Sequence, residues 1–440
     1  MFWIIWRQSM KKRVFMAVFL AACMTVGVCG CSSADEEDVF TGDTPEVPEW
    51  QENLDAISPA VYADISELDL EPGTYISVIG KMENSPYWQQ VAAGVQQAAD
   101  DINEKLGYSG SDAVRVLFNA PADSEDIDEQ VNILDEEMAR YPDVIAIASI
   151  DENASEVQFD LAIANGISIV AFDSGNSYQG IQCTCMTNNT EAAAMGAQKL
   201  CEAIGESGEV ALIVPDSVSG NAKDRVSAFQ QEISENHPGV SVAETIYMDQ
   251  IDELKRAAAA EQLGVSAEEL TTWTAEAAGE QTAIEEAETV ADGTDGDEDT
   301  SENISEEART RLEDIDSIAG GMSDEDAIVY YLEKHPDLKG CFGTNDETVL
   351  LGAQALKSME KTEDIVMMGF DAGKDQLSAL SDGSIDGLVV QNPFGMGYAT
   401  VVAAARTALE IGNEAQVDTG FVWVDAENME DESIQPMLYE

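Results

Sequence analysis

Histidine and positive charge are both scarce in this chain of 440 residues. It contains 2 histidines, and its 21 lysines and arginines stand against 86 aspartates and glutamates, which gives a formal net charge of −65. Two imidazoles leave few candidates for zinc coordination or for histidine-based acid–base catalysis. Binding to nucleic acid is disfavoured, because no basic surface is available to neutralise phosphates. Such acidity is typical of a secreted or surface-exposed protein.

Long hydrophobic runs are also missing, apart from one near the amino terminus. Met-Lys-Lys-Arg at residues 10–13 precedes an apolar run over residues 14–28. This run is shorter than the roughly 20 residues that a transmembrane helix needs. A basic start, a short apolar run and small residues after it are typical of a secretory signal peptide.

The end of this segment, Val28-Cys29-Gly30-Cys31, resembles a bacterial lipobox, in which Cys31 takes the lipid and becomes the mature amino terminus. An ordinary signal cleavage site is the alternative. We predict a lipoprotein signal peptide over 1–30 and an acidic flexible tether over 31–73. The protein would then be extracytoplasmic and lipid-anchored to the outer face of the bacterial cytoplasmic membrane.

Four cysteines follow Cys31 among the 7 in the chain: Cys183, Cys185, Cys201 and Cys341. We assign Cys183 and Cys185 to opposite faces of a strand, so we do not expect them to pair. A metal site at this Cys-x-Cys is disfavoured, because no histidine or third cysteine lies near it in the sequence. We therefore predict buried free thiols, with neither a metal nor a cofactor.

Short β-branched runs alternate with helical patterns from Tyr75 onward. Strands that are apolar throughout and alternate with helices indicate parallel sheets covered on both faces. Roughly ten strands are many for one such sheet, so we predict an α/β protein with two doubly wound, Rossmann-like lobes. The predicted strands are 75–80, 114–118, 144–148, 167–172, 210–214, 240–247, 339–342, 365–370 and 385–390.

The alternation stops over 256–322, which we interpret as an acidic insertion. Ser266 and Glu269 have the spacing of a capping box that opens a helix, and a second helix is predicted over Ser305–Ile318. The acidic run Asp292–Asp299 lacks the residue spacing of a calcium-binding loop, so we predict a solvated loop there.

Polar and aromatic side chains follow the carboxyl ends of the predicted strands, where ligands bind in open α/β sheets. Carboxylates and amides suit the hydroxyls of a sugar, and aromatic rings suit its apolar face. Asn345 and Asp173 have helix capping as an alternative role, and Tyr87 and Trp88 have core packing. The candidate ligand-binding residues are Tyr87, Trp88, Asp173, Asn221, Arg225, Asn345, Asp371 and Gln391.

At these residues the sequence resembles the type I periplasmic sugar-binding proteins, in the ribose/galactose-binding branch that delivers sugars to ABC transporters. The resemblance extends from about Tyr75 to the carboxyl terminus, without the acidic insertion. The motifs that carry it are Ser85-Pro86-Tyr87-Trp88, Val170-Ala171-Phe172-Asp173-Ser174, Phe342-Gly343-Thr344-Asn345-Asp346-Glu347, Gly369-Phe370-Asp371 and Val390-Gln391-Asn392-Pro393.

The resemblance implies two lobes joined by a three-crossing hinge near Met186–Asn189, after Gln391 and near Thr419–Val424. The N-terminal lobe would comprise 74–187 plus 392–418. The C-terminal lobe would comprise 188–391 plus 419–440 and would contain the insertion 256–322.

The resemblance also implies a role for each candidate residue. Tyr87 and Trp88 would form an aromatic platform. Asp173, Asn345, Asp371 and Gln391 would bind hydroxyls. Asn221, Lys223 or Arg225 would add a contact from the second lobe.

Two positions depart from the ribose-type pattern, which has Asn in place of Ser85 and Arg in place of Ser174. Without that arginine the site lacks a planar bidentate donor, so ribose itself is disfavoured. Another pentose or hexose, an inositol, or a cyclic furanosyl signal molecule fits as well.

The resulting functional hypothesis is a monomeric binding protein that captures a monosaccharide by hinge closure and delivers it to an ABC transporter permease. The alternative is a sensor that presents the ligand to a membrane kinase or receptor. A transcription regulator is disfavoured because no helix-turn-helix precedes the lobes. We expect no enzymatic activity, because a closed trap around a monosaccharide leaves no exit for a leaving group.

Overall fold

Two six-stranded sheets organise the computed structural model, which describes residues 48, 50–122, 126–289 and 305–439. Across the first sheet the strands are β11 (Gln416–Asp418), β5 (Ile181–Met186), β4 (Ser168–Phe172), β3 (Val144–Ile147), β1 (Tyr75–Ile79) and β2 (Arg115–Asn119). Across the second they are β12 (Phe421–Val424), β10 (Gly387–Gln391), β9 (Val366–Phe370), β8 (Leu338–Gly343), β6 (Gly208–Val214) and β7 (Val240–Tyr247). The predicted signal peptide and Cys31 lie outside the described residues. No helix within the described ranges is long and apolar enough to cross a membrane.

The first sheet forms the centre of the N-terminal lobe, and all its neighbouring strands are parallel. Most of its strands are apolar and buried on both faces, because helices cover both sides. The strands are β1 (Tyr75–Ile79), β2 (Arg115–Asn119), β3 (Val144–Ile147), β4 (Ser168–Phe172), β5 (Ile181–Met186) and β11 (Gln416–Asp418), and the helices are α2 (Pro86–Leu106), α3 (Ile127–Met138), α4 (Glu156–Ala164) and α13 (Pro393–Ala408).

The second sheet forms the centre of the C-terminal lobe. It is parallel except for β12, which pairs antiparallel with β10. Its strands are β6 (Gly208–Val214), β7 (Val240–Tyr247), β8 (Leu338–Gly343), β9 (Val366–Phe370), β10 (Gly387–Gln391) and β12 (Phe421–Val424), and its helices are α5 (Asn189–Ala203), α6 (Gly220–Asn236), α10 (Asp324–Leu332), α11 (Asp346–Ser358) and α12 (Lys374–Asp382). The predicted α/β class with two doubly wound lobes is confirmed.

The chain crosses between the lobes three times. It leaves the first sheet after β5 and enters α5, which packs on the second sheet. It returns between β10 and α13, and it crosses again between β11 and β12. The three-crossing hinge is therefore confirmed at the predicted places, whereas the numerical lobe boundaries stay a prediction.

The acidic insertion follows β7 and consists of helices in the described part. These are α7 (Ile251–Gln262), α8 (Ala267–Thr289) and α9 (Glu306–Ala319), with α7 packed on α9 and α10. The predicted capping box is confirmed, because Ser266 and Glu269 each accept a hydrogen bond from the other's backbone N–H. The second predicted helix is confirmed as α9, and residues 292–299 lie outside the described residues.

The prediction for Cys183 and Cys185 is confirmed for their burial as free thiols and wrong for their orientation. Cys183 and Cys185 are buried free thiols in one hydrophobic cluster. Their assignment to opposite faces is wrong, because residues two apart in a strand point to the same face.

The structure differs from the predicted flexible tether over residues 50–73. This segment begins with α1 (Gln51–Asp55), and its apolar side chains Leu54, Ile57, Tyr62, Leu68 and Leu70 are buried against the N-terminal lobe. The sequence did not reveal this apolar set, because charged residues occupy the exposed positions between its members and make the segment acidic overall.

The same segment also binds the hinge. Asn53 Nδ2 donates to Asn392 Oδ1 at 3.0 Å, and Asn392 Nδ2 donates to the Asn53 carbonyl oxygen at 2.7 Å and to that of Thr419 at 2.8 Å. Ser58 and Asp418 exchange two backbone hydrogen bonds of 2.8 and 3.0 Å. Two of the three crossings are thereby joined through residues 53–58.

Residues 50–73 can be tested as part of the fold. We expect Leu68→Ala to lower the free energy of unfolding by about 2–5 kcal/mol, because Leu68 is 1% exposed and the truncation leaves a cavity. Val61→Ala is the matched control, since Val61 is 38% exposed and its change should cost less than about 0.5 kcal/mol. Chemical denaturation measures the free energy of unfolding of both variants. If both substitutions have equally negligible effects, the packing of residues 50–73 on the N-terminal lobe is contradicted.

Candidate functional site

Two aspartates occupy equivalent positions in the two lobes. Asp173 directly follows β4, and Asp371 directly follows β9. Both have left-handed backbone conformations, with φ of 53° and 75°, and both are almost fully buried, at 5% and 3% exposure. This conformation is uncommon for a residue with a side chain, and aspartate adopts it more readily than most. The two sheets thus present one carboxylate each to the cleft between the lobes.

Asp173 receives hydrogen bonds from both lobes. Tyr87, in the first turn of α2, donates its hydroxyl to Asp173 Oδ1 at 2.8 Å. Asn221, in the first turn of α6 in the other lobe, donates Nδ2 to Asp173 Oδ2 at 3.3 Å. Lys81 Nζ lies 4.0 Å from the same oxygen. The carboxylate is therefore held between a phenol, an amide and an ammonium group.

Asp371 belongs to a chain of buried polar groups in the C-terminal lobe. Gln391, the last residue of β10, donates Nε2 to Asp371 Oδ1 at 2.8 Å. Its Oε1 accepts from Arg225 Nη2 at 2.8 Å and from the hydroxyl of Thr187, in the first crossing, at 2.9 Å. The amide of Gln391 thus connects a carboxylate, a guanidinium and the hinge.

Arg225 is buried at 3% exposure, and each of its three side-chain nitrogens donates a hydrogen bond within the lobe. Beyond Gln391, its Nε donates to Asn189 Oδ1 at 2.8 Å, and its Nη1 donates to the Thr344 carbonyl oxygen at 2.6 Å. The guanidinium carbon lies 4.0 Å from the centre of the Phe370 ring, which adds a cation–π contact. This arginine therefore links α5, α6, β9 and β10 at the edge of the site.

Burial changes the pKa values of two side chains in the site, Asp371 and Tyr87. The pKa of Asp371 is raised to about 7, chiefly by loss of solvent and then by the nearby Asp346 carboxylate, while Arg225 acts in the opposite direction. The pKa of the Tyr87 hydroxyl is raised well above its ordinary value by burial and by Asp173 and Asp371. Tyr87 therefore stays protonated and donates, whereas Asp371 changes charge near neutral pH.

Asn345 and Trp88 have the contacts expected of their alternative roles, which are helix capping for Asn345 and core packing for Trp88. Asn345 caps α11: its Oδ1 accepts from the Thr348 backbone N–H at 2.9 Å in a reciprocal capping box. Trp88 packs in the hydrophobic core, with its ring 6.1 Å from that of Phe172 and 6.5 Å from that of Phe118. The structure thus joins Tyr87, Asp173 and Asn221 in one network and Arg225, Asp371 and Gln391 in another; ligand contact by any of the eight stays a prediction.

The two positions that depart from the ribose-type pattern have structural roles in the N-terminal lobe. Ser85 caps α2, since its Oγ accepts from the Trp88 backbone N–H at 3.1 Å. Ser174 donates its hydroxyl to the Ser149 carbonyl oxygen at 2.6 Å. In the part of the chain that the structure covers, no group of three or more His, Cys, Asp or Glu side chains is arranged to hold a metal.

The lobes contact each other beside the site. Lys223 on α6 forms a 2.8 Å ion pair with Glu152, which follows β3 in the other lobe. A β-carbon added to Gly220 would lie 2.4 Å from the Ser174 carbonyl oxygen. Only a residue without a side chain fits at Gly220 in this arrangement.

Three residues near the network were missed by the sequence reasoning. Lys81 follows β1 by two residues, so its position at a strand end is the signal that points to it. Glu152 follows β3, and its position after that strand is the same kind of signal. Tyr439, at 2% exposure, reaches the site from the carboxyl-terminal tail, and no local pattern marks it.

Comparisons with known proteins agree with this architecture. Residues 76–306 and 323–413 match the family described as "Periplasmic binding protein domain". The ribose import binding protein of Bacillus subtilis (strain 168) is 37% identical over 73 residues, which are 17% of this chain and 23% of that protein. The D-apiose import binding protein of Actinobacillus succinogenes is 22% identical over 354 residues, 80% of this chain and 84% of that protein.

A solved structure shares the fold. The carbohydrate transporter solute binding protein from Agrobacterium radiobacter, in complex with D-arabinose, has a TM-score of 0.61 and 23% identity, and the likeness covers 83% of this chain and 98% of that one. The resemblance stated from the sequence is confirmed, as is the expectation of a binding protein rather than an enzyme. With most of its length matched and its two lobes crossed three times by the chain, the protein belongs to the periplasmic binding protein family.

Proposed function

We propose that this chain is the extracytoplasmic, lipid-anchored binding component of an ABC importer for a monosaccharide. The observation that carries the proposal is the pair of buried carboxylates, Asp173 and Asp371, at equivalent strand ends of facing lobes. The names of the relatives support it, because they refer to import of ribose and D-apiose.

The polar groups of the cleft suit a polyhydroxyl ligand. Ionised carboxylates accept hydrogen bonds from sugar hydroxyls, and these charge-assisted bonds are stronger than neutral ones. Asn221 has a second amide N–H beyond the one given to Asp173 and can donate it from the C-terminal lobe, and the Tyr87 hydroxyl oxygen can accept from the N-terminal lobe. Two buried polar atoms beside Arg225, Asn189 Nδ2 and Thr344 Oγ1, have no hydrogen-bond partner, and a ligand hydroxyl could satisfy such groups.

Hinge closure would couple binding to transport. A ligand favours the closed arrangement only through contacts that the open arrangement lacks. In this structure the hydrogen bond from Asn221 to Asp173 and the ion pair from Lys223 to Glu152 bring groups of both lobes together, so a ligand bound beside them would contact both lobes only in the closed arrangement. The permease would recognise the surface that both lobes form together.

The first prediction concerns the ligand and the two carboxylates. In a thermal-shift and calorimetry screen of the chain from Ser32 onward, we expect one or a few of D-ribose, D-apiose, D-arabinose, D-fucose, D-galactose and myo-inositol to bind. Asp173→Asn and Asp371→Asn should each weaken that binding by a factor of about 100 at a pH above about 7, the pKa of Asp371, since each replaces a carboxylate that accepts hydrogen bonds. Asp375→Asn, on the exposed face of α12, is the control and should bind normally. Normal affinity in both cleft variants would contradict the site.

The second prediction concerns closure. Gly220→Ala should weaken sugar binding at least tenfold, because its β-carbon would meet the Ser174 carbonyl oxygen of the other lobe when the lobes close. The open form should fold normally, since alanine is favoured over glycine in a helix. Gly321→Ala is the control, because its β-carbon would make only ordinary contacts. Calorimetry measures the affinity and small-angle scattering measures the closure; unchanged values would refute the closed arrangement.

The third prediction concerns the anchor. In cells fed an alkyne-tagged fatty acid, the protein should become labelled and fractionate with membranes, because two acyl chains give stable anchoring. Cys31→Ser should abolish both properties, whereas Cys29→Ser should preserve them. Label retained in Cys31→Ser would exclude this residue as the lipidation site.

A further inference from the structure

The carboxyl-terminal tail passes along the hinge and reaches the site at Tyr439. After β12, Asn428 Nδ2 donates to the Trp423 carbonyl oxygen at 3.0 Å, which turns the chain back. Farther along, Asn53 Nδ2 donates to the Pro436 carbonyl oxygen at 2.9 Å, and Met437 is buried beside Asn53. The tail is thereby fixed to the segment that binds the hinge, and the next residues are directed into the cleft.

Tyr439 lies between the lobes with its side chain 2% exposed. Its backbone N–H donates to the Ala372 carbonyl oxygen at 3.3 Å, and the Ala372 N–H donates to the Tyr439 hydroxyl oxygen at 3.2 Å. On the other side, its ring centre lies 6.2 Å from that of Tyr87, with the ring planes at 70°. Tyr439 therefore contacts the residue after Asp371 in one lobe and the partner of Asp173 in the other.

These contacts leave the Tyr439 hydroxyl with a proton that it can donate to a further group. Because the hydroxyl oxygen accepts from Ala372, its own proton is free for another acceptor. We assign the Asp371 carboxylate as that acceptor, because the hydroxyl oxygen is held at the N–H of Ala372, the next residue, and because the two groups interact so that the pKa of Asp371 is lowered and that of Tyr439 is raised. A buried hydroxyl needs such a partner, since an unpaired polar group in the interior is unfavourable.

We propose that Tyr439 is a positioning residue of the ligand site, whose hydroxyl orients the Asp371 carboxylate and whose ring, packed on Tyr87, forms a wall of the cleft. The proposal rests on the function proposed above. Tyr439 would act on the ligand through Asp371.

The proposal has a signature in the pH dependence of the site. The groups that face Asp371 are Asp346, Arg225, Gln391, Tyr87 and Tyr439. A sugar hydroxyl donates best to the ionised carboxylate, so affinity should rise as the pH increases through about 7, the pKa of Asp371. Loss of the Tyr439 hydroxyl removes one interaction that favours the ionised form of Asp371. The pH at which the affinity increases should therefore be higher in a variant without this hydroxyl.

The test compares Tyr439→Phe with Tyr398→Phe. Tyr398 is the matched control, because it is also 2% exposed and donates its hydroxyl to a carboxylate, Asp101 Oδ2 at 2.9 Å, away from the cleft. Carbon-13 NMR of the carboxyl groups follows the titration of Asp371 in the protein without sugar, with Asp371→Asn identifying the resonance. We expect the midpoint to rise by about half a unit or more in Tyr439→Phe and to stay unchanged in Tyr398→Phe.

Calorimetry with D-arabinose and D-fucose between pH 5.5 and 8.5 gives the second readout. Tyr439→Phe should bind about tenfold more weakly near pH 7, with its pH profile displaced upward, while Tyr398→Phe binds as the unchanged protein does. A merely structural Tyr439 would lower the melting temperature without moving the midpoint, and an unmoved midpoint overturns the proposal. If neither sugar binds but the midpoint moves, the positioning of Asp371 stands and the choice of ligand fails.

Discussion

The arrangement of the site depends on the hydrogen bonds that the buried guanidinium of Arg225 donates. This guanidinium contacts α5, β9 and β10 of the C-terminal lobe and holds the Gln391 amide, which in turn holds Asp371. A chain with a net charge of −65 that buries aspartates at its centre needs compensating donors there. Removal of one partner from such a buried network leaves the others uncompensated, which costs more than the pair gains. The geometry around Asp371 is therefore a property of the whole network.

Much of the fold could be predicted from the sequence, because parallel strands buried on both faces are apolar throughout and easily recognised. β7 occupies the predicted residues, and most other strands differ by one or two residues at their ends. Helix α5 was missed for a physical reason: its packing face is built from alanine and Gly196, whose missing side chain makes room for the Phe342 ring. Strands β11 and β12 have only 3 and 4 residues, too few for periodicity.

The site was less predictable than the fold. Residues after strand ends can be listed from the sequence, but the orientation of each side chain depends on its neighbours. Asn345 and Asp173 both follow a strand, yet Asn345 turns back to cap its helix, whereas the left-handed backbone of Asp173 directs its carboxylate to Tyr87 and Asn221. Tyr439 could not be found this way, because its position depends on contacts far apart in the chain.

The attachment of residues 53–58 to the hinge has a mechanical consequence. When two rigid bodies rotate about a common axis, points on that axis move least. The chain that precedes the lobes joins them beside Asn392 and Asp418, at the crossings themselves. A pull on the amino-terminal side is thus applied at the pivot, with almost no lever arm on either lobe. In the hinge closure proposed above, the lobes would therefore open and close while the chain is held at residues 53–58.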